Sequence, residues 1–325
     1  MDKETIIIPI ASGKGGVGKS IISANIGIAL AQFGHSTIVV DLDLGASNLH
    51  HYLNIPNEYP GIGEFLKREE IFFPDLQVPT SVPNLTLISG DGLSPHMANI
   101  TYAEKMKLIK GIKKLEANFV ILDLSAGSSF NTMDFFSIVS NGIILLKPEM
   151  PVIMNLLIFI KNLVLRIIGK TIRGNSLIFD YIHEIFHRSI KESPLVIEDI
   201  IEGIILKCPE VGERVKSAIQ NIRPRLIMNM STDLDELIWL KKVEKNIIKN
   251  LSIEVDNFGF IPFNPVIIKS INKRIPLLID QPESPAAQGI QRIAKRIVRR
   301  WNDPIDNSWE RLYHDTQSFF NEVMV

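Results

Sequence analysis

Short apolar runs and longer segments of helical period alternate along most of this chain. Thr5–Ala11, Thr37–Leu42, Leu85–Ser89, Phe119–Leu124 and Gly142–Lys147 are brief, largely apolar and mostly β-branched, the pattern of strands buried on both faces of a parallel sheet. Between them, Ser20–Phe33 and Tyr102–Leu115 repeat their apolar positions at helical spacing. The alternation predicts an α/β fold, a Rossmann-like, doubly wound and mainly parallel sheet whose ligands sit beyond the carboxyl ends of the strands. Pro9 is out of place in the first run, because proline gives no N–H to a central ladder.

The texture changes from Gly169 to Ile222, where helix-like segments are broken at Gly174-Asn175, Ser193-Pro194 and Cys208-Pro209. We expect a helical insertion over 169–222 within one domain spanning 1–325. Strands return at Arg225–Asn229 and Phe258–Ile261, followed by a helix over Pro285–Trp301 and a C-terminal tail over 302–325. The most apolar long stretch, Pro151–Gly169, contains Lys161 and Arg166 and predicts a buried helix rather than a membrane span.

Composition narrows the setting. The 325 residues carry a formal net charge of −1, which gives no global pull toward nucleic acid, and no sequence-specific nucleic-acid partner is expected. Cys208 is the only cysteine, so no intramolecular disulfide forms and cytoplasmic residence is the expectation. Met1-Asp2-Lys3-Glu4 leads straight into the first strand without the pattern of a signal peptide.

The chemistry is concentrated where the first strand meets the first helix. Gly13-Lys14-Gly15-Gly16-Val17-Gly18-Lys19-Ser20 has the spacing of a P-loop, and Ile21 opens the apolar helix behind it. Glycines let backbone N–H groups turn inward around phosphate oxygens, Lys19 reaches the β/γ-phosphates and the Ser20 hydroxyl ligates Mg²⁺. The following helix adds the positive end of its dipole beneath the anion. Gly13, Gly15 and Gly18 also satisfy the dinucleotide fingerprint, with Asp41 about 20 residues on, which leaves an NAD-binding oxidoreductase as the rival. A Rossmann turn has no use for Lys-Ser at its helix start, whereas a phosphate-and-metal site needs both. Asp123 closes Phe119-Val-Ile-Leu-Asp, where a Walker-B carboxylate holds Mg²⁺ through water. Asp41 and Asp43 end a second strand at the same sheet edge, and strand alternation points them the same way.

With Lys14 early in the loop, Ser12-Gly-Lys-Gly-Gly-Val-Gly-Lys-Ser20 resembles the deviant Walker A of the MinD/ParA ATPases. The likeness continues through Asp41-Leu-Asp-Leu-Gly-Ala-Ser-Asn-Leu49, similar to the family's switch I, and Asp123-Leu-Ser-Ala-Gly127, similar to its Walker B and switch II. Lys147-Pro-Glu149, Asn229 and Gly259-Phe-Ile-Pro-Phe-Asn264 resemble its later strand ends. The resemblance implies an ATPase that dimerises around ATP and Mg²⁺. Lys14 would cross to the partner's nucleotide and stabilise the transition state, and Asp43 would orient the attacking water. Ser20, Asp123 and Asp41 would organise the metal, while Asn229 and Pro262 would flank the adenine. The MinD and FlhG branch, which positions division or flagellar machinery, is the nearest in pattern. An FlhG-like N-terminal activation segment is not expected, since the first strand begins within a few residues of Met1, and the insertion is longer than MinD leads one to expect. Iron–sulfur relatives do not fit a chain with one cysteine.

Three features bear on partners. Ile290, Ile293, Ile297 and Trp301 form a helical stripe flanked by Arg292, Lys295, Arg296, Arg299 and Arg300, either the closing helix of the core or a contact to the anionic inner face of a membrane. Ser308–Val325 is amphipathic through Trp309, Leu312, Phe319, Phe320 and Val323 but mostly acidic, which suits docking on protein. The insertion and this tail are the candidate surfaces for an unidentified protein partner. His183-Glu-Ile-Phe-His187 spells a zinc-protease motif with Glu184 as base; without a third ligand, its bland reading is an amphipathic helix. A nucleotide-locked scaffold with negligible turnover is the remaining alternative to an ATPase.

Overall fold

The computed structural model describes residues 4–90, 99–187 and 196–323. Eight strands among these residues form one sheet: β1 (Ile6–Ala11), β2 (Thr37–Leu42), β3 (Val78–Pro79), β4 (Leu85–Ile88), β5 (Phe119–Leu124), β6 (Ile143–Leu146), β7 (Arg225–Ser231) and β8 (Asp256–Pro262). Their order is β3-β4-β2-β5-β1-β6-β7-β8. Neighbours are parallel except the short edge pair β3 and β4, which makes this the mainly parallel, Rossmann-like α/β sheet read from the alternation. The edge strand β3 has only two residues, too few to leave a periodic signal.

The sheet is doubly wound around β1, which stands between β5 and β6. The loop leaving β1 therefore emerges where the chain departs to opposite sides, the place at which such sheets open a ligand crevice. Pro9 is accommodated because β6 pairs with β1 only at Ile10 and Ala11, leaving one side of the strand without a ladder at the proline. The helix Lys19–Gln32 behind the loop is buried on all sides from Ile21 to Ala31. It lies between the sheet and the helix Pro285–Arg300, which explains why its sequence is apolar all round rather than striped.

Between β6 and β7 the chain runs through helices Met150–Thr171, Ser176–His187, Ile197–Lys207 and Pro209–Gln220. The Ser193-Pro194 break and Arg188 lie outside the described residues, as does the side chain of His187. Met150–Thr171 is long and apolar enough to cross a membrane by length and composition. Here Val152, Leu156, Phe159, Leu163 and Ile167 are buried, the helix resting on β6 and on the helices Pro209–Gln220 and Ile238–Leu251, with Phe136 edge-on to Phe159. The expectation of a buried helix holds for that face only, since Met150, Met154 and Ile158 are about half exposed.

Of the two readings of the basic helix, the structure takes the closing helix of the core, and the tail is docked on the domain. Ile290, Ile293 and Ile297 of the helix Pro285–Arg300 are fully buried, with Trp301 beyond them. The apolar stripe is thus core and cannot reach a bilayer. Arg296 donates to the carbonyl of Phe258 at 2.7 Å and pairs with Asp315. The tail is a docked helix, Ser308–Val323, rather than a free end. Ser308 Oγ accepts from the Asn257 N–H, Trp309 Nε1 donates to the Leu237 carbonyl, and Phe320 packs on Phe260. Its apolar side serves its own domain, so it does not present that face to a partner. Arg225 fixes the junction, donating to the carbonyls of Arg300, Trp301 and Asp303 between the rings of Phe258 and Trp301.

Candidate functional site

Parallel pairing of β1 with β5 and of β2 with β5 brings three loops to one edge. Asp41 and Asp123 are register partners across β2 and β5, and Ile10 faces Asp123 from β1. The loop 12–20 after β1 turns through Gly16 and Gly18, both at positive φ (78° and 85°), a conformation that glycine adopts without a steric penalty. Gly18 is the residue before the helix Lys19–Gln32. A Cβ on Gly18 would stand 2.7 Å from Asn229 Nδ2, and Asn229 donates that N–H to the Val17 carbonyl at 2.8 Å. Strand β7 thereby braces the loop from the side through Asn229. Gly13 is wedged against the backbone of Asn155, which a Cβ would meet at 2.5 Å. The loop is thus clamped between β7 and the helix Met150–Thr171.

Inside the loop, Lys19 is buried and its ammonium lies 2.9 Å from Asp123 Oδ1. Ser23 Oγ donates to the same oxygen at 2.9 Å. Asp123 Oδ2 is buried and has no protein hydrogen-bond partner, the kind of acceptor left over where a hydrated divalent cation or another donor belongs. Ser20 sits half-buried one residue after Lys19, and Ile21 is buried beneath it. Lys14 is exposed on the loop surface, while its carbonyl accepts from Ser12 Oγ at 3.0 Å.

The two strand-end aspartates of β2 do different things. Asp41 is fully buried. Its Oδ2 accepts from Ser47 Oγ at 2.7 Å and from the N–H groups of Asn48 and Leu49, and its Oδ1 accepts from the Asp43 N–H. It shapes the turn over 43–49 and caps the short helix Leu49–Tyr52, with every contact directed to protein. Burial, reinforced by the Asp123 charge, nonetheless pushes its carboxyl up to about 7 against those bonds. Asp43 lies just beyond β2, only partly buried, and accepts from Ser125 Oγ at 3.0 Å. Ser125 follows β5, and Gly127 donates its N–H to the Ser12 carbonyl at 2.9 Å. The segments after β1, β2 and β5 are thereby joined by direct hydrogen bonds.

Pro262 ends β8, opposite Ser231 of β7, at the same edge but three strands from β1, with β6 and β7 between. Tyr52 belongs to the neighbourhood without having been singled out by sequence. Burial raises its phenol, as does the Asp123 charge, while Lys19 opposes the shift. It sits in a four-residue helix, too short for periodicity to reveal. His183 stacks on Phe179 of its own helix, and no group of three or more His, Cys, Asp or Glu able to hold a metal occurs among the described residues.

The family model of the CobQ/CobB/MinD/ParA nucleotide-binding domain matches residues 8–278. An uncharacterized ATP-binding protein of Methanocaldococcus jannaschii is 27% identical over 295 residues, 90% of this chain and 88% of its own length. The septum site-determining protein MinD of Synechocystis is 24% identical over the same shares of both chains. Among solved structures, MinD of Pyrococcus horikoshii complexed with Mg-ADP superposes with a TM-score of 0.60 at 20% identity, covering 91% of this chain and 96% of that one. MinD in a MinC:MinD complex from Aquifex aeolicus gives 0.59 at 21%, covering 93% and 98%.

Proposed function

The chain belongs to the CobQ/CobB/MinD/ParA nucleotide-binding family, and on that premise we propose that it binds and hydrolyses ATP, pairs with a second copy around the nucleotide, and uses that switch to position a protein partner. The observation that carries the reading is the buried Lys19–Asp123 pair at the mouth of the loop. Phosphate oxygens of a bound nucleotide would compete with Asp123 for the Lys19 ammonium. Losing that partner turns the Asp123 carboxylate, with its already unpaired Oδ2, toward the role of holding Mg²⁺ through its water shell beside Ser20. Mg²⁺ supplies charge neutralisation across the β- and γ-phosphates when bound. Backbone N–H groups of Gly13 to Lys19 hold the phosphates, Asn229 and Pro262 border the base, and Asp43, tethered to Ser125, orients the attacking water. Asp41 holds the turn that carries Asp43 in place and through it supports the metal shell. Lys14, exposed at the rim, reaches the second copy's phosphates.

The insertion over 169–222 is the proposed partner surface within a single domain. Division or flagellar machinery is the class of cargo that the MinD-like branch suggests, and the chain works in the cytoplasm, with any attachment to the inner membrane face peripheral. Lys19→Ala is expected to abolish ATP binding. Lys14→Ala binds ATP as a monomer, and Asp43→Ala accumulates as an ATP dimer, each losing on the order of 10²-fold in turnover. Light scattering with ATP, run beside phosphate release, decides the matter. A Lys14→Ala protein that dimerises and turns over like wild type would remove the deviant-loop reading, and wild-type protein without phosphate release over hours would replace the ATPase with a nucleotide-locked scaffold.

A further inference from the structure

A groove of about 810 Å³ opens between the segment after β5, the far end of the helix Met150–Thr171 and the start of the helix Ser176–His187. Phe130, Met133, Leu165 and Phe179 form apolar walls, and Arg166, Lys170 and Arg173 stand along it, with no carboxylate among the described residues that line it. Beneath it, buried Asp134 accepts from Arg166 Nε at 2.9 Å and pairs with Lys105 at 2.6 Å and Lys170 at 2.8 Å. One carboxylate thus answers three cations, and Arg173 has the Tyr102 hydroxyl and ring beside it among the described residues. Among the described residues the groove therefore carries more positive than negative charge. Its rims are equally unfinished: Phe130 is 72% exposed under the Arg166 guanidinium, and Phe179 is 59% exposed. A concave site with large apolar side chains on its rims and one sign of charge within is the mark of a protein-binding groove.

We propose that this groove takes an acidic, amphipathic peptide segment of a partner protein, its carboxylates against Arg166, Lys170 and Arg173 and its aromatic or aliphatic side chains against Phe130 and Phe179. A flat lipid surface could not enter a recess of this shape, and a free small anion would leave the exposed rings uncovered. The proposal rests on the reading of the insertion as a partner surface and adds the place and the chemistry of the contact.

The test is selection from a displayed random dodecapeptide library on the full-length, nucleotide-free protein, which keeps the outcome independent of ATP binding. Enriched peptides are expected to combine Asp or Glu with Phe, Trp or Leu, and to bind about ten-fold more weakly to Arg173→Glu and to Phe179→Glu proteins. Both substitutions are at exposed positions, and unchanged circular dichroism and melting temperature verify the fold. Enriched peptides that are basic, or that bind both variants as tightly as wild type, overturn the groove. If such peptides are instead lost on Leu206→Glu, at an 85% exposed site elsewhere on the insertion, the insertion remains a partner surface and only the groove assignment falls. Absence of any enriched peptide overturns both.

Discussion

Two buried aspartates show how the same side chain acquires opposite properties from its surroundings. Asp41 is pushed up to about 7 by burial and by the neighbouring Asp123 charge, which outweigh its bonds to Ser47, Leu49 and Asp43. Burial also works against Asp134, but hydrogen bonds from Arg166, Lys105 and Lys170 prevail and hold it well below the usual carboxylate range. For Asp41 the folded state binds the extra proton, so its contribution is complete below about pH 4 and is lost as pH rises to about 7, at most about 1.4 kcal/mol per pH unit. For Asp134 the sign reverses: its contribution is present above about pH 4 and is lost as pH falls toward the depressed folded value. Chemical denaturation across pH should therefore show Asp41→Asn flattening the decline between about pH 4 and 7. Asp134→Asn strands three cations and is expected to cost about 2–4 kcal/mol at neutral pH, discounted because Lys170 is partly exposed. A slope unchanged in Asp41→Asn would remove the first assignment, and a neutral Asp134→Asn the second.

At the scale of elements, what was legible in the sequence follows from how each element is stabilised. The strands β1, β2, β5, β6, β7 and β8 and the helix Lys19–Gln32 are buried through their own apolar runs, so sequence shows them within a residue or two. The loop glycines, Lys19 and Asp123 stand out in sequence because a phosphate-binding loop would fix their spacing, and the structure brings Lys19 and Asp123 together. Edge strand β3, the helix Phe130–Phe136 and the turn held by Asp41 were hidden, since each depends on a partner distant in sequence or on a run too short to show a period. The helix Pro285–Arg300 was ambiguous for a definite reason, because an amphipathic basic helix has the same pattern whether its stripe meets a sheet or a bilayer. With Ile290, Ile293 and Ile297 buried, only charge remains for a lipid surface. Arg299 and Arg300 line a cleft with Arg311 and His314 from the docked tail helix. Sedimentation with phosphatidylglycerol-rich vesicles should be weak at low salt, vanish at physiological salt as screening shortens to about 8 Å, and disappear in Arg299→Glu/Arg300→Glu. Binding that survives high salt would mean that apolar groups insert and that the stripe leaves the core. Removing 308–323 does not test this, because it would uncover Phe260 and the seat of Leu312.

At the scale of the whole molecule, the P-loop and the helix Met150–Thr171 act as one body. Gly13 allows the loop to rest on the backbone of Asn155, and Met150, Met154 and Ile158 recur every four residues along the exposed side of that helix, a spacing that puts them on one face. An apolar stripe beside a nucleotide loop is uncovered in the single chain, and a second copy that brings its own Lys14 across to the phosphates would approach from this side. ATP-dependent pairing should therefore bury the stripe. Met154→Glu/Ile158→Glu introduces like charges that face each other across a two-fold interface, where every substitution appears twice. The double variant is expected to bind ATP as a monomer, with calorimetric affinity within a few-fold of wild type and turnover reduced about as far as in Lys14→Ala. Light scattering that shows an intact ATP dimer would place the interface on another face of the molecule. Loss of ATP binding itself would instead mean that the helix transmits the disturbance to the loop through Asn155 and Gly13.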